Sequence, residues 1–375
     1  MTKYTDFINY NLSMLTDHIR TETYRRALLQ TVKSHDVVLD LGCGTGILTF
    51  FACQAGAQRV YAIESEDVIE LAKQVCAKNG LQDRTIFVRD LSFRVELPEK
   101  VDVLVTETIG TFGLDEGILG SVIDARDRFL RKDGAIIPRS IQLFMVPVEL
   151  PGFYEHMIDF WASDRYGLDF SPVRRLAANN FHPIRLSKDT FLSEPVNLLQ
   201  ILLTEAKSSD VRSEVSFYGT RRGKLHGIAG WFIVEVTKGI FLSNAPESVT
   251  SHWGLAFFPL DRPVAVERGN LMRLAIESTG NGSAWNWQVE VNEQRFNQST
   301  LWGFPQTMEE PHKLFPTCRP RLSRRGEAEL FLLSLFSGEK TISELEQELR
   351  RQFPDLIRSQ EQASASVQEV VRKCT

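Results

Sequence analysis

Three glycines at alternate positions, in Asp40-Leu41-Gly42-Cys43-Gly44-Thr45-Gly46, constrain this chain more than any other feature. A short apolar run, Val37-Val38-Leu39, precedes them, and a helical pattern from Ile47 to Ala55 follows. Glycine lets a backbone turn, and approach a ligand, where a Cβ would block it. A loop opening onto a helix N-terminus offers an anion its amides and the positive end of the helix dipole. The next apolar run, Val60-Tyr61-Ala62-Ile63, ends in Glu64. A carboxylate at that point can accept both hydroxyls of a ribose. The G-x-G-x-G spacing differs from the G-x-G-x-x-G of dinucleotide sites. It points instead to S-adenosylmethionine, whose methionine carboxylate is the anion. Cys43 has no base near it in sequence and reads as a small filler, not a nucleophile.

Strand and helix signals alternate through residues 35–140. Helical patterns over Asp67–Lys78 and Ile118–Leu130 separate the apolar runs Ile86–Val88, Val101–Thr106 and Gly134–Ile137. Such alternation predicts a parallel sheet covered on both faces, a Rossmann-like α/β domain. The pattern then changes. Residues 141–310 are rich in Val, Phe, Trp and Thr with period-two alternation, as in Trp285-Asn286-Trp287-Gln288-Val289-Glu290-Val291. This predicts an antiparallel β-barrel or sandwich. An inserted helical arm is expected at about 152–205. A basic, proline-containing linker spans 311–325. Residues 326–375 read as a helix-turn-helix module, with a capping box at Thr341-Ile342-Ser343-Glu344. Residues 1–34 precede the sheet as a helical lid.

Composition narrows the function classes. A net charge of −5 does not favour nucleic-acid binding. Five cysteines without CxxC spacing argue against a disulfide framework or zinc site and for a reducing cytoplasm, and no metal site is expected. The N-terminus is too polar for a secretory signal, and no apolar run reaches the ~18 residues of a membrane span.

Glu107 and Glu116 flank a turn containing Gly110 and Gly113, just past the run Val101–Thr106. Loops at the carboxyl ends of such strands face the ligand. Two converging carboxylates would match the paired N–H donors of a guanidinium. The spacing alone equally fits a solvated acidic loop. Asp115, adjacent to Glu116, is expected to point elsewhere.

With these motifs together, the chain resembles the protein arginine methyltransferase family over most of residues 14–310. Met14-Leu15-x-Asp17-x-x-Arg20-Thr21-x-x-Tyr24 is similar to the family's helix over the cofactor, and Val38–Leu48 to its glycine loop. Glu107 and Glu116 keep the spacing of its double-glutamate hairpin. Ser251-His252-Trp253 is similar to its Thr-His-Trp loop. The resemblance implies a class I methyltransferase domain followed by a β-barrel whose arm makes a homodimer. It implies that Arg20 pairs with the cofactor carboxylate. Glu64, with Asp40, Gly42, Cys43, Gly44, Gly46, Ser65 and Ser92, completes the S-adenosylmethionine site. Glu107 and Glu116 would clamp the substrate guanidinium, His252 and Asp17 would form a hydrogen-bonded pair, and Met14 and Trp253 would wall the arginine channel. The implied substrate is an arginine in a protein or peptide.

Two regions depart from the family pattern. The hairpin reads Glu107-Thr108-Ile109-Gly110-Thr111 where the family usually has Glu-Trp-Met-Gly-Tyr. Tyr4, Phe7 and Tyr10 do not keep its Tyr-Phe-x-x-Tyr spacing. Both shape the substrate pocket. They keep open a small guanidino or natural-product acceptor, and, from a different class, a non-catalytic cofactor-binding scaffold.

Overall fold

The computed structural model describes residues 3–164, 166–248, 252–305 and 319–374, with side chains from residue 8 onward. Ser251 of the expected Thr-His-Trp-like loop and residues 311–318 of the expected linker lie outside these. The chain divides into two compact units, Met1–Pro305 and Gln306–Thr375.

Helices α1 (Lys3–Thr16) and α2 (His18–Thr31) lead into a parallel sheet. Its strands are β1 (Val37–Leu41), β2 (Arg59–Glu64), β3 (Thr85–Arg89), β4 (Val101–Thr106) and β5 (Leu130–Ile137), in the order β3-β2-β1-β4-β5. Helices α3 (Ile47–Gln54), α4 (Val68–Lys78) and α5 (Ile118–Phe129) connect them. All five residues of β1 are buried, as a strand covered on both faces requires. Successive strands run outward from β1 to β2 and β3, and on the other side to β4 and β5. The crevice beyond the carboxyl ends of β1 and β4 is therefore the topological switch point, where open α/β sheets bind ligands. The glycine loop, Glu64 and Glu107 follow the ends of β1, β2 and β4.

The second half of this unit forms two antiparallel sheets. One contains β6 (Ser140–Val148), β7 (His182–Ile184), β8 (Val196–Leu202), β10 (Gly223–Thr237) and β12 (Leu255–Val266), ordered β7-β12-β10-β6-β8, with β11 (Ile240–Ser243) on β10. The other runs β15 (Gln294–Ser299), β14 (Ala284–Val291), β13 (Leu271–Thr279), β9 (Val211–Tyr218). Phe258 of β12 meets Trp285 and Trp287 of β14 at ring distances of 6.0 and 5.3 Å, so the sheets share a core. Phe112 of the double-glutamate hairpin enters the same cluster, 5.2 Å from both Phe258 and Trp285. Burying aromatic rings this way ties the parallel sheet's loop to the antiparallel part.

Helices α6 (Pro151–Met157) and α7 (Ser171–Ala178) make the helical part of the insertion. The rest of the expected arm is sheet: β7 pairs with β12, and β8 pairs with β6 from Ser140↔Leu202 to Met145↔Val196.

The second unit holds three helices among its described residues: α8 (Arg324–Ser334), α9 (Ile342–Gln352) and α10 (Gln360–Cys374). The Thr341–Glu344 capping box is formed in both directions. Leu332, Leu349, Ala363 and Val367 are at the centre of its small core.

Candidate active site

Each functional side chain is fixed by a local backbone reason. Gly42, Gly44 and Gly46 all have positive φ, at 70°, 53° and 90°. Gly42 and Cys43 donate their amides to the Ile63 carbonyl at 2.9 and 3.0 Å, which stitches the loop to β2. A Cβ on Gly44 would meet no heavy atom within 4 Å, so the loop opens onto free space there. Glu64 receives the Gly44 amide on one carboxylate oxygen and the Glu66 amide on the other, both at 3.0 Å. Each oxygen keeps a second acceptor site. Helix α3 begins at Gly46, a residue with no side chain to cap it. These residues fit the adenosyl and carboxylate parts of S-adenosylmethionine.

The structure sorts the other expected cofactor residues. Asp40 is fully buried beneath the loop, and its carboxylate accepts the Thr49 hydroxyl at 2.5 Å. Burial, opposed by that bond, raises its pKa to about 7. Asp40 thus braces the start of α3 from below. Cys43 packs with Ala62, Ile69 and Phe87, and burial pushes its thiol far up, as suits a filler. Ser65 is exposed beside Glu64. Ser92 starts a short turn whose carbonyl accepts from Arg128 at 2.6 Å.

Asp17 organises the other wall. It lies between α1 and α2, and one oxygen caps α2 by accepting the Arg20 amide at 3.0 Å. The second oxygen accepts the His252 amide at 2.9 Å and meets His252 Nδ1 at 2.7 Å. Burial raises the Asp17 carboxyl, but the His252 and Arg20 bonds outweigh it and bring it down to about 2. Trp253 is buried, its ring tilted by 39° against His252 at 4.1 Å and edge-on to Phe232 at 5.3 Å.

Glu107 is buried and pairs with Arg20, whose Nη2 also donates to the Met14 carbonyl at 3.2 Å. Burial raises Glu107 despite the opposing guanidinium. Glu116 reaches the cleft rim, and burial, then the charges of Glu107 and Asp115, raise it to about 7. The two glutamates thus lie within electrostatic reach of each other. Asp115 turns back into the hairpin and accepts the Thr111 and Phe112 amides at 2.9 and 2.7 Å. A Cβ on Gly110 would sit 2.6 Å from that carboxylate, which makes glycine obligatory there.

The departures from the family hairpin take a different form from the one expected. Ile109 is fully buried in the core, so it does not line the pocket. Thr108 and Thr111 are the partly exposed positions. Tyr10, out of register in sequence, nevertheless faces the cleft: burial, then the charges of Glu116 and Glu107, raise its hydroxyl.

Two residues escaped the sequence reading. Asn244 is buried and accepts the Phe232 amide at 2.8 Å. It donates to the Thr111 and Gly254 carbonyls at 3.0 and 2.7 Å, tying the hairpin to the His252-Trp253 loop. Asn281, in the β13–β14 turn, accepts the Gly120 amide at 2.7 Å and so caps α5 from another element. Asn244 carries no sequence signal. The Gly280-Asn281-Gly282 turn is one, but its target is not encoded locally.

A parallel sheet, a glycine loop at its switch point and an acid at the end of the neighbouring strand define the methyltransferase class. The family model described as ribosomal protein L11 methyltransferase matches residues 16–137, and that of the arginine methyltransferase oligomerization subdomain matches residues 139–291. The chain is 38% identical to the probable protein arginine N-methyltransferase 6 of Arabidopsis thaliana, over 65% of this chain and 57% of that protein. It is 33% identical to protein arginine N-methyltransferase 2 of Xenopus tropicalis, over 76% of this chain and 69% of the other. With protein arginine N-methyltransferase 1 of Schizosaccharomyces pombe the identity is 33%, over 69% and 78%. The Trypanosoma brucei PRMT1 enzyme-prozyme heterotetrameric complex with AdoHcy superposes with a TM-score of 0.70 at 25% identity, covering 77% of this chain and 96% of that one. The chain belongs to the protein arginine N-methyltransferase family.

Proposed function

We propose that this protein transfers a methyl group from S-adenosylmethionine to a guanidinium nitrogen of arginine in a protein or peptide. The observation that carries this reading is the electrostatic coupling of Glu116 to Glu107, which follows the β4 end at the switch-point crevice. When bound, S-adenosylmethionine supplies a sulfonium methyl, an electrophile needing no metal or enzyme-bound intermediate. Arg20 and the α3 N-terminus hold its carboxylate, and Glu64 holds its ribose. On this reading Ser65 and Ser92 complete the cofactor site.

The chain's own residues make the acceptor reactive. A guanidinium is a poor nucleophile because it stays protonated and delocalised at neutral pH. Glu107 and Glu116 concentrate its charge on the nitrogens they bind, which leaves the remaining nitrogen richer in electrons. Positioning that nitrogen in line does the rest. The nitrogen loses one proton as the N–C bond forms. Glu116, near neutrality and open to solvent, takes that proton and passes it to water. Asp17, His252, Met14 and Trp253 hold the channel walls.

We further infer self-association through the insertion carrying α6 and α7, on the strength of the match to an oligomerization subdomain. Among the described residues no helix is long and apolar enough to cross a membrane, and Cys43, Cys53, Cys76 and Cys374 are free thiols. These support a cytoplasmic site of action. Incubation with arginine peptides and S-adenosylmethionine tests the activity. Methylated arginine supports it, and turnover only on free guanidino metabolites would move the assignment to a small-molecule enzyme.

A further inference from the structure

Resting on that reading, we propose that Arg20 occupies the substrate's guanidinium seat on Glu107 until the cofactor carboxylate draws it away, so that cofactor and arginine substrate reinforce each other's binding. Arg20 pairs through Nη1 with Glu107, and the two side chains are only 6% and 4% exposed. An arginine of the chain itself thus makes the contact that the double-glutamate hairpin offers a substrate. A carboxylate accepts one guanidinium fork well. A substrate entering with Arg20 in place would bring a second cation against one buried carboxylate.

The pairing is also incomplete. Arg20 Nε is buried and has no hydrogen-bond partner. A buried donor left without an acceptor is costly, and a carboxylate taking Nε and Nη together satisfies both. Asp17 pins the Arg20 amide at 3.0 Å, so the exchange needs only the side chain to turn about a fixed root. Once the cofactor carboxylate neutralises Arg20, Glu107 is free for the substrate. Linkage makes the effect reciprocal: substrate must tighten cofactor by the same factor.

The test is binding, not turnover. The affinity of a fluorescent, end-blocked arginine peptide is measured on the full chain alone, with S-adenosylhomocysteine, and with methylthioadenosine, which has the nucleoside but no carboxylate. The expected result is a tightening of about tenfold or more with S-adenosylhomocysteine and none with methylthioadenosine. Arg20→Gln should bind peptide without nucleoside about as well as the wild type does with S-adenosylhomocysteine, and should lose the dependence. Equal tightening by both nucleosides, or by neither, overturns the proposal while leaving the arginine-acceptor reading standing. If Arg20→Gln fails to fold, the two-nucleoside comparison on the wild type still decides. No peptide binding in any state would remove the acceptor reading and this proposal with it.

Discussion

Glu116 sets a pH dependence that can be worked out before any assay. Burial, reinforced by the charges of Glu107 and Asp115, raises its carboxyl to about 7. Only the ionised form clamps a guanidinium, so apparent affinity scales with the ionised fraction. That fraction is about one tenth at pH 6 and about nine tenths at pH 8. The sign follows directly: arginine-peptide affinity should rise about tenfold from pH 6 to pH 8, then level off. The arginine itself stays charged throughout and contributes no slope. The assay is fluorescence anisotropy of a labelled arginine peptide with saturating S-adenosylhomocysteine, at fixed ionic strength. Glu116→Gln should abolish the slope and bind weakly at every pH, because one charged partner of the clamp is gone. A flat wild-type profile, or a slope that survives in Glu116→Gln, would refute the reasoning.

Other expectations concern the supports of the site. Asp17→Asn should cost about 1–2 kcal/mol, seen in thermal melts and in faster hydrogen exchange at the His252 amide, since an amide serves both His252 donors poorly. Against burial, the hydrogen bonds from His252 and the Arg20 amide lower the Asp17 carboxyl from 3.8 to about 2, so its contribution is complete above about 4 and lost as pH falls through about 2. Asn244→Ala leaves three main-chain groups unpaired in the core and should destabilise by about 2–4 kcal/mol in denaturant titration, with weaker peptide binding. Asn281→Ala removes the cap on α5 and should cost about 1 kcal/mol by the same titration.

The parallel sheet is legible because short apolar runs such as Val37-Val38-Leu39 alternate with helical patterns, two of which stop at Gly56 and Asn79-Gly80. The loop was legible because only glycine tolerates its positive φ values. β8 falls within the expected arm because Val196-Asn197-Leu198-Leu199-Gln200-Ile201-Leu202 does not alternate cleanly, and its pairing partner, β6, lies far back in sequence. Helix α10 adds a third helix to the expected helix-turn-helix, because its buried stripe of Ala363, Val367 and Val370 is set among Gln, Ser and Glu. In the site, residue types announced the carboxylate pair, and spacing alone left it open to a solvated loop. The Arg20–Glu107 contact was invisible, since it joins positions on different elements through side-chain geometry. Asp115 shows the converse: its sequence position points it away from Glu116, but its bracing of the hairpin needs three dimensions.

The central claim is that Glu107 and Glu116 present an arginine to the S-adenosylmethionine methyl. Mass spectrometry of arginine peptides after incubation with S-adenosylmethionine tests it most directly, beside Glu107→Gln and a parallel measurement of S-adenosylhomocysteine affinity. The account predicts methylated arginine from the wild type, and none from Glu107→Gln although that variant binds S-adenosylhomocysteine at least as tightly. Wild-type failure on every arginine peptide, or undiminished turnover by Glu107→Gln, would contradict it.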